Sequence, residues 1–394
     1  MKQEIIDKIN RLASQDEPFL FVINYQGDKA FIRQLSDINP EECLFDFEGR
    51  RNSSDEMKNN SEKIAEISWQ IAPPLYEDYE RSFDIVKNNI MAGNSYLTNL
   101  TCKVPVSCNL SLEDIFNQAK GKYKLLIRRK RTQAEDKAQQ KEEEEESQNK
   151  ADKIEEEFQN KTYPKEENIE EISNSFVCFS PETFVRIKGG RIYSYPMKGT
   201  LDASLPNAEK LLMEDRKEAA EHATIVDLIR NDLSRVAEDV RVDKYCYVDV
   251  LHTNKGDILQ TSSEISGRLP EDYPHHLGEI LDVQLPAGSI TGAPKDKTMQ
   301  IIQEAEGYDR GFYTGIMGIY DQGELNSAVM IRFIEEETSS VDFEADGEKN
   351  FKANEGKKPK ESRKLYFKAG GGITSKSDCR REYEEVIQKI YLPF

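Results

Sequence analysis

The spacing of apolar and polar positions predicts a chain of many strands with helices between them. The opening decamer has the periodicity of a helix, and strand patterns follow in the runs PFLFVIN and KAFIRQL. From about residue 75 onward, helical and strand patterns alternate with an ordinary content of apolar residues. We therefore predict a short N-terminal strand and helix region, 1–75, packed on a larger α/β domain that covers 76–394.

Two polar stretches interrupt this pattern, at 129–172 and 336–362. Both almost lack residues that could form a core, and the first contains five consecutive glutamates at 142–146. Such a composition does not bury enough apolar surface to offset the entropy of ordering, so both are predicted to be insertions that are disordered or form solvated helices. Without them, KYKLLI runs into SFVCFSPETFVRI and AVMIRFI into KLYFKAGGGI, which predicts that each insertion expands the loop of a hairpin.

Charge balance and cysteine usage limit the possible partners and compartments. The 394 residues include 54 Lys and Arg against 73 Asp and Glu, and the net charge of −19 disfavours binding to nucleic acid or to an anionic membrane surface. The 6 cysteines show no CxxC pair and no zinc spacing, and no apolar run approaches the length of a membrane span. We expect a reduced cytoplasmic protein with no signal peptide.

A lysine in a constrained turn is the first candidate for chemistry. Lys198 lies in the run RIYSYPMKGTLDA and is the only charged residue between Arg191 and Asp202. Glu182 follows a predicted strand 16 positions earlier, and a hairpin across the KGG turn would bring acid and amine to the same end. A surface carboxylate and a surface lysine would leave the same pattern, and these residues alone do not separate the two interpretations.

A helix and a loop add further candidates. Glu221 begins the amphipathic helix EHATIVDLIRNDLSRV, whose apolar positions recur at helical spacing. A glutamate there could simply favour the positive end of the helix dipole. The loop LPAGSITGAPK opens directly into another helix, and its small residues with Lys295 predict an anion site made of loop amides, a helix N-terminus and a cation.

A hairpin brings a phenol and a guanidinium together. If residues 322–323 form the turn in GFYTGIMGIYDQGELNSAVMIRFI, paired positions sum to 645 and Tyr313 lies opposite Arg332. This pair suits a carboxylate, although a buried structural pair has the same signature.

The C-terminal helix carries the last candidates. Glu382 and Glu385 share one face, and Lys389 lies one turn beyond Glu385. Paired carboxylates often belong to a solvated face. Two that point inward, with a third from another helix, would instead suit Mg²⁺, which prefers oxygen ligands.

Taken together, these motifs resemble the chorismate-utilising family, which contains anthranilate synthase component I, aminodeoxychorismate synthase component I, and isochorismate and salicylate synthases. The similar segments are AGNSYLTNL, SPETF, PMKGT, EHATIVDLIRNDLSRV, GSITGAPK, YTGIMG, IRF, KAGGGI and SDCRREYEE, in the family's order. The resemblance implies an α/β (α+β) fold, a large mostly antiparallel β-sandwich flanked by helices, with a deep cleft that binds chorismate and Mg²⁺.

The resemblance also implies a role for each candidate residue. Glu221, Glu382 and Glu385 match metal ligands, and Glu182 matches the general acid or base near the ring hydroxyl. The expected substrate contacts are Thr200, Thr291, Tyr313, Arg332, Gly371, Gly372 and Lys389, to which the loop argument adds Lys295. Within this set, Tyr313 and Arg332 are expected at the enolpyruvyl carboxylate, and the two glycines are expected to offer backbone amides.

Lys198 distinguishes the branches of this family. Anthranilate synthases carry a small residue in this turn and aminodeoxychorismate synthases carry lysine, whereas the water-activating lysine of isochorismate and salicylate synthases falls where this chain has Leu97. The resemblance therefore implies that Lys198 attacks C2 of chorismate while Glu182 protonates the departing C4 hydroxyl. An attacking amine must be neutral, so we expect the site to depress the pKa of Lys198 by burial or by a nearby cation.

The expected product is 4-amino-4-deoxychorismate, for p-aminobenzoate and folate biosynthesis, with anthranilate synthase component I as the alternative activity. The sequence shows no G-x-C-x-G motif of a glutaminase, so the ammonia is expected from a separate glutamine amidotransferase subunit. Gln260 stands where many members have a histidine, which mildly favours amination without loss of pyruvate. An alternative of another class is a non-catalytic scaffold that acts through the acidic stretches.

Overall fold

The secondary structure comes from a computed structural model that describes residues 1–53, 67–129, 172–253, 256–338 and 363–394. The helices in these ranges are α1 Gln3–Ser14, α2 Tyr76–Met91, α3 Leu112–Gln118, α4 Ala208–Glu214, α5 Arg216–Ser234, α6 Leu277–Gln284, α7 Gly288–Thr291, α8 Lys295–Glu306 and α9 Cys379–Gln388, with 3₁₀ turns at Leu35–Asp37 and Tyr273–His276. None of the helices in these ranges is long and apolar enough to cross a membrane.

The strands alternate with these helices along the chain. They are β1 Phe19–Ile23, β2 Ala30–Gln34, β3 Cys43–Phe47, β4 Arg50–Arg51, β5 Trp69–Ile71, β6 Leu97–Cys108, β7 Tyr123–Ile127, β8 Ser175–Ser180, β9 Thr183–Lys188, β10 Arg191–Ser194, β11 Met197–Asp202, β12 Glu238–Thr253, β13 Gly256–Arg268, β14 Gly292–Ala293, β15 Ile316–Asp321, β16 Glu324–Val329, β17 Phe333–Thr338 and β18 Arg363–Ile373.

These strands form two antiparallel sheets in the described part of the chain. The first runs β11-β13-β10-β9-β16-β15-β1-β2, with β12 on the other side of β13. The second runs β14-β6-β18-β17-β8-β7-β3-β4, with β5 also paired to β6. The predicted antiparallel sandwich with flanking helices is therefore confirmed.

Strand β1 shows why the layers stack as they do. Phe19, Phe21 and Ile23 pack into a cluster with α1, α5 and α6 on the outer face of the first sheet. Leu20 and Val22 point the other way, into the core between the sheets. Because successive side chains alternate between the two faces of a strand, a strand covered on both faces is apolar throughout.

The second sheet is covered on its outer face by α2, α3, α8 and α9. The cluster there includes Phe83 of α2, Ile115 of α3, Ile301 of α8 and Val386 of α9. The molecule therefore has four layers in the order helices, sheet, sheet, helices, with one apolar core at each of the three interfaces.

The N-terminal residues do more than pack on the larger domain. Strand β1 pairs with β15 in the first sheet, and β3 pairs with β7 in the second. Both sheets are thus completed by strands from the first 53 residues, which makes this region an integral part of the sandwich.

The two predicted hairpins are present. Strand β7 pairs with β8 from Tyr123↔Ser180 to Ile127↔Phe176, and β17 pairs with β18. Most of the two predicted insertions lies outside the described residues. The boundary at 336 is wrong, because 336–338 continue β17 in pairing with β18.

A two-residue strand, β14, attaches the loop before α8 to the second sheet. Gly292 pairs with Thr98 of β6, and it has a φ of 125°. A Cβ added at Gly292 would lie 1.8 Å from the carbonyl oxygen of Leu97. This close approach of two backbones, together with the positive φ, requires glycine.

Gly292→Ala is therefore expected to destabilise the fold by about 2–5 kcal/mol, from the positive φ and the overlap with Leu97 together. The matched control is Gly307→Ala, because Gly307 has a φ of +66° but no atom within 4 Å of an added Cβ. The control is expected to cost about 1 kcal/mol. Urea unfolding of the two variants measures the difference, and equal midpoints would contradict the role given to the β14 contact.

Candidate active site

Lys198 is placed by an irregularity in β11. The strand pairs with β13 through Lys198↔Thr261 and Thr200↔Gln260, and the register shifts between the two pairs. Gly199 lies at the shift with a φ of +71°, and an added Cβ there would be 3.2 Å from Oε2 of Glu218. Thr261 donates its hydroxyl hydrogen bond to the carbonyl of Lys198. The bulge therefore fixes the backbone of the lysine beside α5.

Helix α5 supplies the partner of this lysine. Oε2 of Glu221 lies 3.0 Å from Nζ of Lys198, and both side chains are largely buried. The next residue, His222, is fully buried, with Nε2 2.7 Å from the hydroxyl oxygen of Ser263 on β13. That oxygen also accepts a hydrogen bond from the backbone N–H of Cys246 on β12. His222 thus attaches the helix to the sheet at the point where Glu221 meets Lys198.

The protonation of Lys198 differs from the sequence-based expectation. Burial disfavours its ammonium form and lowers the pKa. The charge and hydrogen bond of Glu221 outweigh burial, with help from other carboxylates, and the pKa of Lys198 is raised above its ordinary value. The expectation of a depressed pKa is therefore wrong for the ligand-free protein, because the lysine has a carboxylate partner.

Glu182 has the opposite balance. Its N–H donates to the hydroxyl oxygen of Ser180, its carbonyl accepts from the N–H of Val329, and its Oε1 accepts a 2.6 Å hydrogen bond from the hydroxyl of Ser289. Burial raises the pKa of Glu182, and this effect exceeds the lowering by Ser289 and by nearby cations. The carboxyl group therefore keeps its proton to a higher pH than an exposed glutamate, as a general acid requires.

Among the described residues, the glycines of β18 have a strand on one side only and form what we call the glycine edge. Gly371 and Gly372 pair with β6 on one side. On the other side, the pairing of β18 with β17 stops at Lys368, before the two glycines. A Cβ at Gly371 would lie 3.6 Å from Oε2 of Glu382, and one at Gly372 would lie 3.9 Å from Nζ of Lys198. Charged groups from α9 and β11 thus lie directly over this glycine backbone.

Helix α9 begins at a capping residue and carries the remaining charges. The side chain of Asp378 accepts from the N–H of Arg381, which fixes the start of the helix. Lys389 lies 2.8 Å from Glu385 and donates to the carbonyl of Gly370 at 3.0 Å. Burial lowers the pKa of Lys389, although the neighbouring Glu385 opposes this shift.

The three predicted metal ligands lie around the two lysines. Glu221 and Glu385, from different helices, both raise the pKa of Lys198, so they act on the same ammonium group. In the described ranges, no three His, Cys, Asp or Glu side chains are close enough to hold a metal ion as they stand. The donors are nevertheless carboxylate oxygens, the type that Mg²⁺ prefers, so the chemistry of the set fits this ion.

Tyr313 and Arg332 are placed by a break in the predicted hairpin. The predicted register is confirmed from Ile316↔Val329 to the turn. On the side away from the turn, the regular ladder ends at the pair of Ile316 with Val329, and Arg332 has a φ of 57°. The prediction that Tyr313 and Arg332 face each other within the ladder is therefore wrong. Arg332 still acts electrostatically on Tyr313, and the buried phenol packs on Phe333.

The loop between α6 and α8 does not form the predicted anion site. Nζ of Lys295 lies 2.9 Å from Asp232 and donates to the carbonyl of Gln284, so its charge is already neutralised. The small residues serve packing instead, since a Cβ at Gly288 would lie 2.8 Å from Cδ2 of Leu228. The prediction of an anion site with Lys295 is therefore wrong for this structure.

The two predicted threonine contacts lie on elements that border the site. Thr291 ends α7, where its side chain is buried next to the phenol of Tyr25. Thr200 belongs to β11, opposite Gln260. The structure thus assembles Glu182, Lys198, Glu221, Arg332, Gly371, Gly372, Glu382, Glu385 and Lys389 around one region.

Sequence reasoning missed the contact of Ser289 with Glu182 and that of Asp232 with Lys295. Ser289 and Asp232 lie within quoted motifs, but Ser289 and Glu182 are 107 positions apart, and no periodicity links them. The only signal was a hydroxyl residue in a predicted loop that precedes a helix.

Comparisons with known proteins show what this chain is similar to. The family model described as chorismate binding enzyme matches residues 167–348. The chain is 40% identical to an "Uncharacterized PabA-like protein" of Haemophilus influenzae over 99% of this chain and 97% of that protein. It is 33% identical to anthranilate synthase component 1 of Aquifex aeolicus, over 53% of this chain and 38% of that protein.

A solved structure with the same architecture is that of the "putative 2,3-dihydroxybenzoate-specific isochorismate synthase, DhbC" from Bacillus anthracis. It superposes with a TM-score of 0.63 over 98% of this chain and 86% of that chain, at 16% sequence identity. This likeness supports the fold described above.

Glu221→Gln is expected to lower the pKa of Lys198 in the ligand-free protein, because it removes the carboxylate that most favours the ammonium form. Lys198 would then react with an amine reagent such as trinitrobenzenesulfonate at lower pH, which peptide mass analysis can follow. Glu218→Gln is the matched control, and its smaller, purely electrostatic effect on Lys198 predicts a smaller shift. Identical titrations of Lys198 in all three proteins would contradict this account.

Proposed function

We propose, from the premise that this chain belongs to the chorismate-binding enzyme family, that it is aminodeoxychorismate synthase component I. The observation that carries the proposal is the placement of a nucleophile and an acid in one site. The ammonium of Lys198 and the buried carboxyl of Glu182 lie within electrostatic reach of each other. The amine is also close to the glycine edge of β18, since a Cβ added at Gly372 would lie 3.9 Å from Nζ of Lys198.

The proposed reaction uses both residues, and its atoms balance. The neutral amine of Lys198 forms a bond to C2 of chorismate, both ring double bonds shift, and the C4–O bond breaks. Glu182 gives its proton to the departing hydroxyl, which leaves as water. Ammonia then forms a bond to C4, both double bonds shift back, and the C2–N bond breaks with its electrons going to the lysine amine. The ammonium formed at C4 returns a proton to Glu182. The net change is chorismate plus ammonia to 4-amino-4-deoxychorismate plus water.

The ion pair between Lys198 and Glu221 is, in this proposal, the resting state of the site before substrate binds. While the carboxylate stays on the amine, the pKa of Lys198 is raised and the nucleophile is protonated. When Glu221 is neutralised by another partner, burial becomes the main influence on the amine and favours the neutral form. Occupation of the glutamates would therefore activate Lys198.

The partner that we propose for these glutamates is Mg²⁺, held by Glu221, Glu382 and Glu385. When bound, it supplies a hard positive charge that can hold a substrate carboxylate. The proposal is supported by the position of Glu382 near Gly371 and by the influence of Glu385 on Lys198, both glutamates being on α9.

The other substrate carboxylate is assigned to Arg332 and Tyr313. Arg332 lies where β17 begins and acts electrostatically on Glu182, Lys389 and Tyr313. A guanidinium beside a phenol and an ammonium is suited to bind an enolpyruvyl carboxylate in a fixed orientation. Such binding does not require Lys198, which is reserved for the covalent step.

Ammonia is proposed to come from a glutaminase subunit. The relative from Aquifex aeolicus is named as a component 1, which indicates that such chains work with a second component. We also propose a cytoplasmic location and a role in p-aminobenzoate and folate biosynthesis, in keeping with six free cysteines, all within the described residues.

Anthranilate synthase component I is the second candidate, because relatives with that name match more than half of this chain. The two activities differ in the product formed from chorismate, Mg²⁺ and ammonium. Mass spectrometry separates aminodeoxychorismate from anthranilate, and anthranilate as the sole product would overturn the first proposal.

Lys198→Ala is expected to lower kcat by orders of magnitude while the Kd for chorismate changes by less than about tenfold, because the amine acts only in the covalent step. Lys198→Arg is the control that keeps a cation beside Glu221 without a nucleophilic amine, and it should be as inactive as the alanine variant. Amination at C4 at the parental rate by either variant would show that Lys198 is not the nucleophile. A covalent adduct in the parent without ammonia, absent from both variants, would support it.

Glu385→Gln is expected to weaken Mg²⁺ binding by at least about tenfold, because it removes one charged oxygen ligand. Glu384→Gln is the matched control, since Glu384 is on the same helix but pairs with Arg380 at the surface. Binding can be followed with Mn²⁺ as the paramagnetic substitute, independently of turnover. Equal affinities of the two variants would exclude Glu385 as a ligand.

A further inference from the structure

The hydroxyl of Ser289 makes a contact that the proposed reaction does not yet use. It donates a 2.6 Å hydrogen bond to Oε1 of Glu182, across the interface between α7 and the first sheet. We infer that Ser289 is a positioning residue that fixes one carboxyl oxygen of Glu182 and directs the other, Oε2, toward the reacting hydroxyl. This inference rests on the proposed function for the role of Glu182 as an acid.

The backbone of Glu182 is already held on both sides. Its N–H donates to Oγ of Ser180 at 3.1 Å, and its carbonyl accepts from the N–H of Val329 at 3.2 Å. The remaining freedom of the residue is rotation of the side chain. A hydrogen bond from Ser289 to one carboxyl oxygen removes that freedom, which is how a partner residue fixes a catalytic group.

A small cavity next to Ser289 makes this restraint necessary. Its volume is about 30 Å³, and Glu182, Ser289, Ser194, Asp232 and Gln284 are among the residues that line it. A space of this size admits about one water molecule. Without the hydrogen bond, the carboxyl group could turn into this space, away from the substrate.

The charges around Glu182 also give Ser289 an influence on its protonation. The cations that face the carboxyl group are Arg332, Lys198 and Lys389, while Asp232 across the cavity is paired with Lys295. Burial raises the pKa of Glu182, and the hydrogen bond from Ser289 is the largest opposing influence. The bond stabilises the carboxylate that remains after proton transfer, so its loss would raise the pKa further.

The test compares Ser289→Ala with Ser194→Ala. Ser194 is the matched control because it is buried, lines the same cavity and donates its hydrogen bond to the carbonyl of Phe184 instead. Ser289→Ala is expected to lower kcat by about tenfold to a hundredfold, the effect of losing one hydrogen bond to a charged group, with little change in the KM for chorismate. Ser289→Thr retains the hydroxyl and should restore the rate, since the adjacent cavity accepts a methyl group.

A second readout does not depend on turnover. The infrared carbonyl band of the protonated Glu182 carboxyl, assigned by its loss in Glu182→Gln, should persist to higher pH in Ser289→Ala than in the parent or in Ser194→Ala. The same shift should appear in the limb of the pH–kcat profile that belongs to Glu182. A titration of Glu182 unchanged in Ser289→Ala, or shifted equally in Ser194→Ala, would overturn the inference.

The two readouts separate this inference from the proposed function. If the parent makes no aminodeoxychorismate while the infrared titration shifts only in Ser289→Ala, the proposed function fails and the control of Glu182 by Ser289 stands. If the parent makes the product and Ser289→Ala matches the parent in kcat and titration, the inference fails alone.

Discussion

The ion pair between Lys198 and Glu221 is the interaction on which the rest of the site depends. A buried ammonium is costly unless a carboxylate compensates it, and the fold provides one by packing α5 against β11 and β13. The bulge at Gly199 and the attachment of His222 to Ser263 both serve this approach. Without the pair, burial would oppose the ammonium form of the lysine with less compensation, and the charge balance of the site would change.

Positively and negatively charged side chains alternate through the rest of the site, starting from this ion pair. Lys198 is influenced by Glu385 of α9, and Glu385 in turn binds Lys389, which reaches the carbonyl of Gly370. At Glu182, burial outweighs the influence of the neighbouring cations and of Ser289, and it raises the pKa. The site therefore holds an acid with a raised pKa near an amine whose pKa is also raised, and the amine must lose its proton before the proposed reaction begins.

The sheets provide the space for this chemistry through the points at which their ladders end. Strand β17 begins after Arg332, and its pairing with β18 stops at Lys368, so the glycine edge beyond that point has no strand from β17 beside it. The positive φ of Arg332 marks the same point, where the chain leaves the regular ladder. A positive φ is uncommon for a residue other than glycine, and residues with such backbone conformations cluster at functional sites.

The sequence by itself determined the local elements and their nearest pairings. Strand alternation and a two-residue turn set the register of β15 and β16, and apolar runs on either side of polar stretches identified β7 with β8 and β17 with β18. These features follow from periodicity and turn chemistry, which act over a few residues. The quoted motifs also identified most residues that the structure gathers around Lys198, because the family resemblance carries long-range information that periodicity lacks.

Only the tertiary structure decided the partners of the charged groups. Lys295 binds Asp232 instead of an anion, Ser289 reaches Glu182, and the pKa of Lys198 is raised where a depressed value was expected. Each outcome depends on distances of a few ångströms between elements far apart in the chain, and on how deeply they are buried. Electrostatic free energies are set by those two quantities, and neither is encoded in the local pattern of apolar and polar residues.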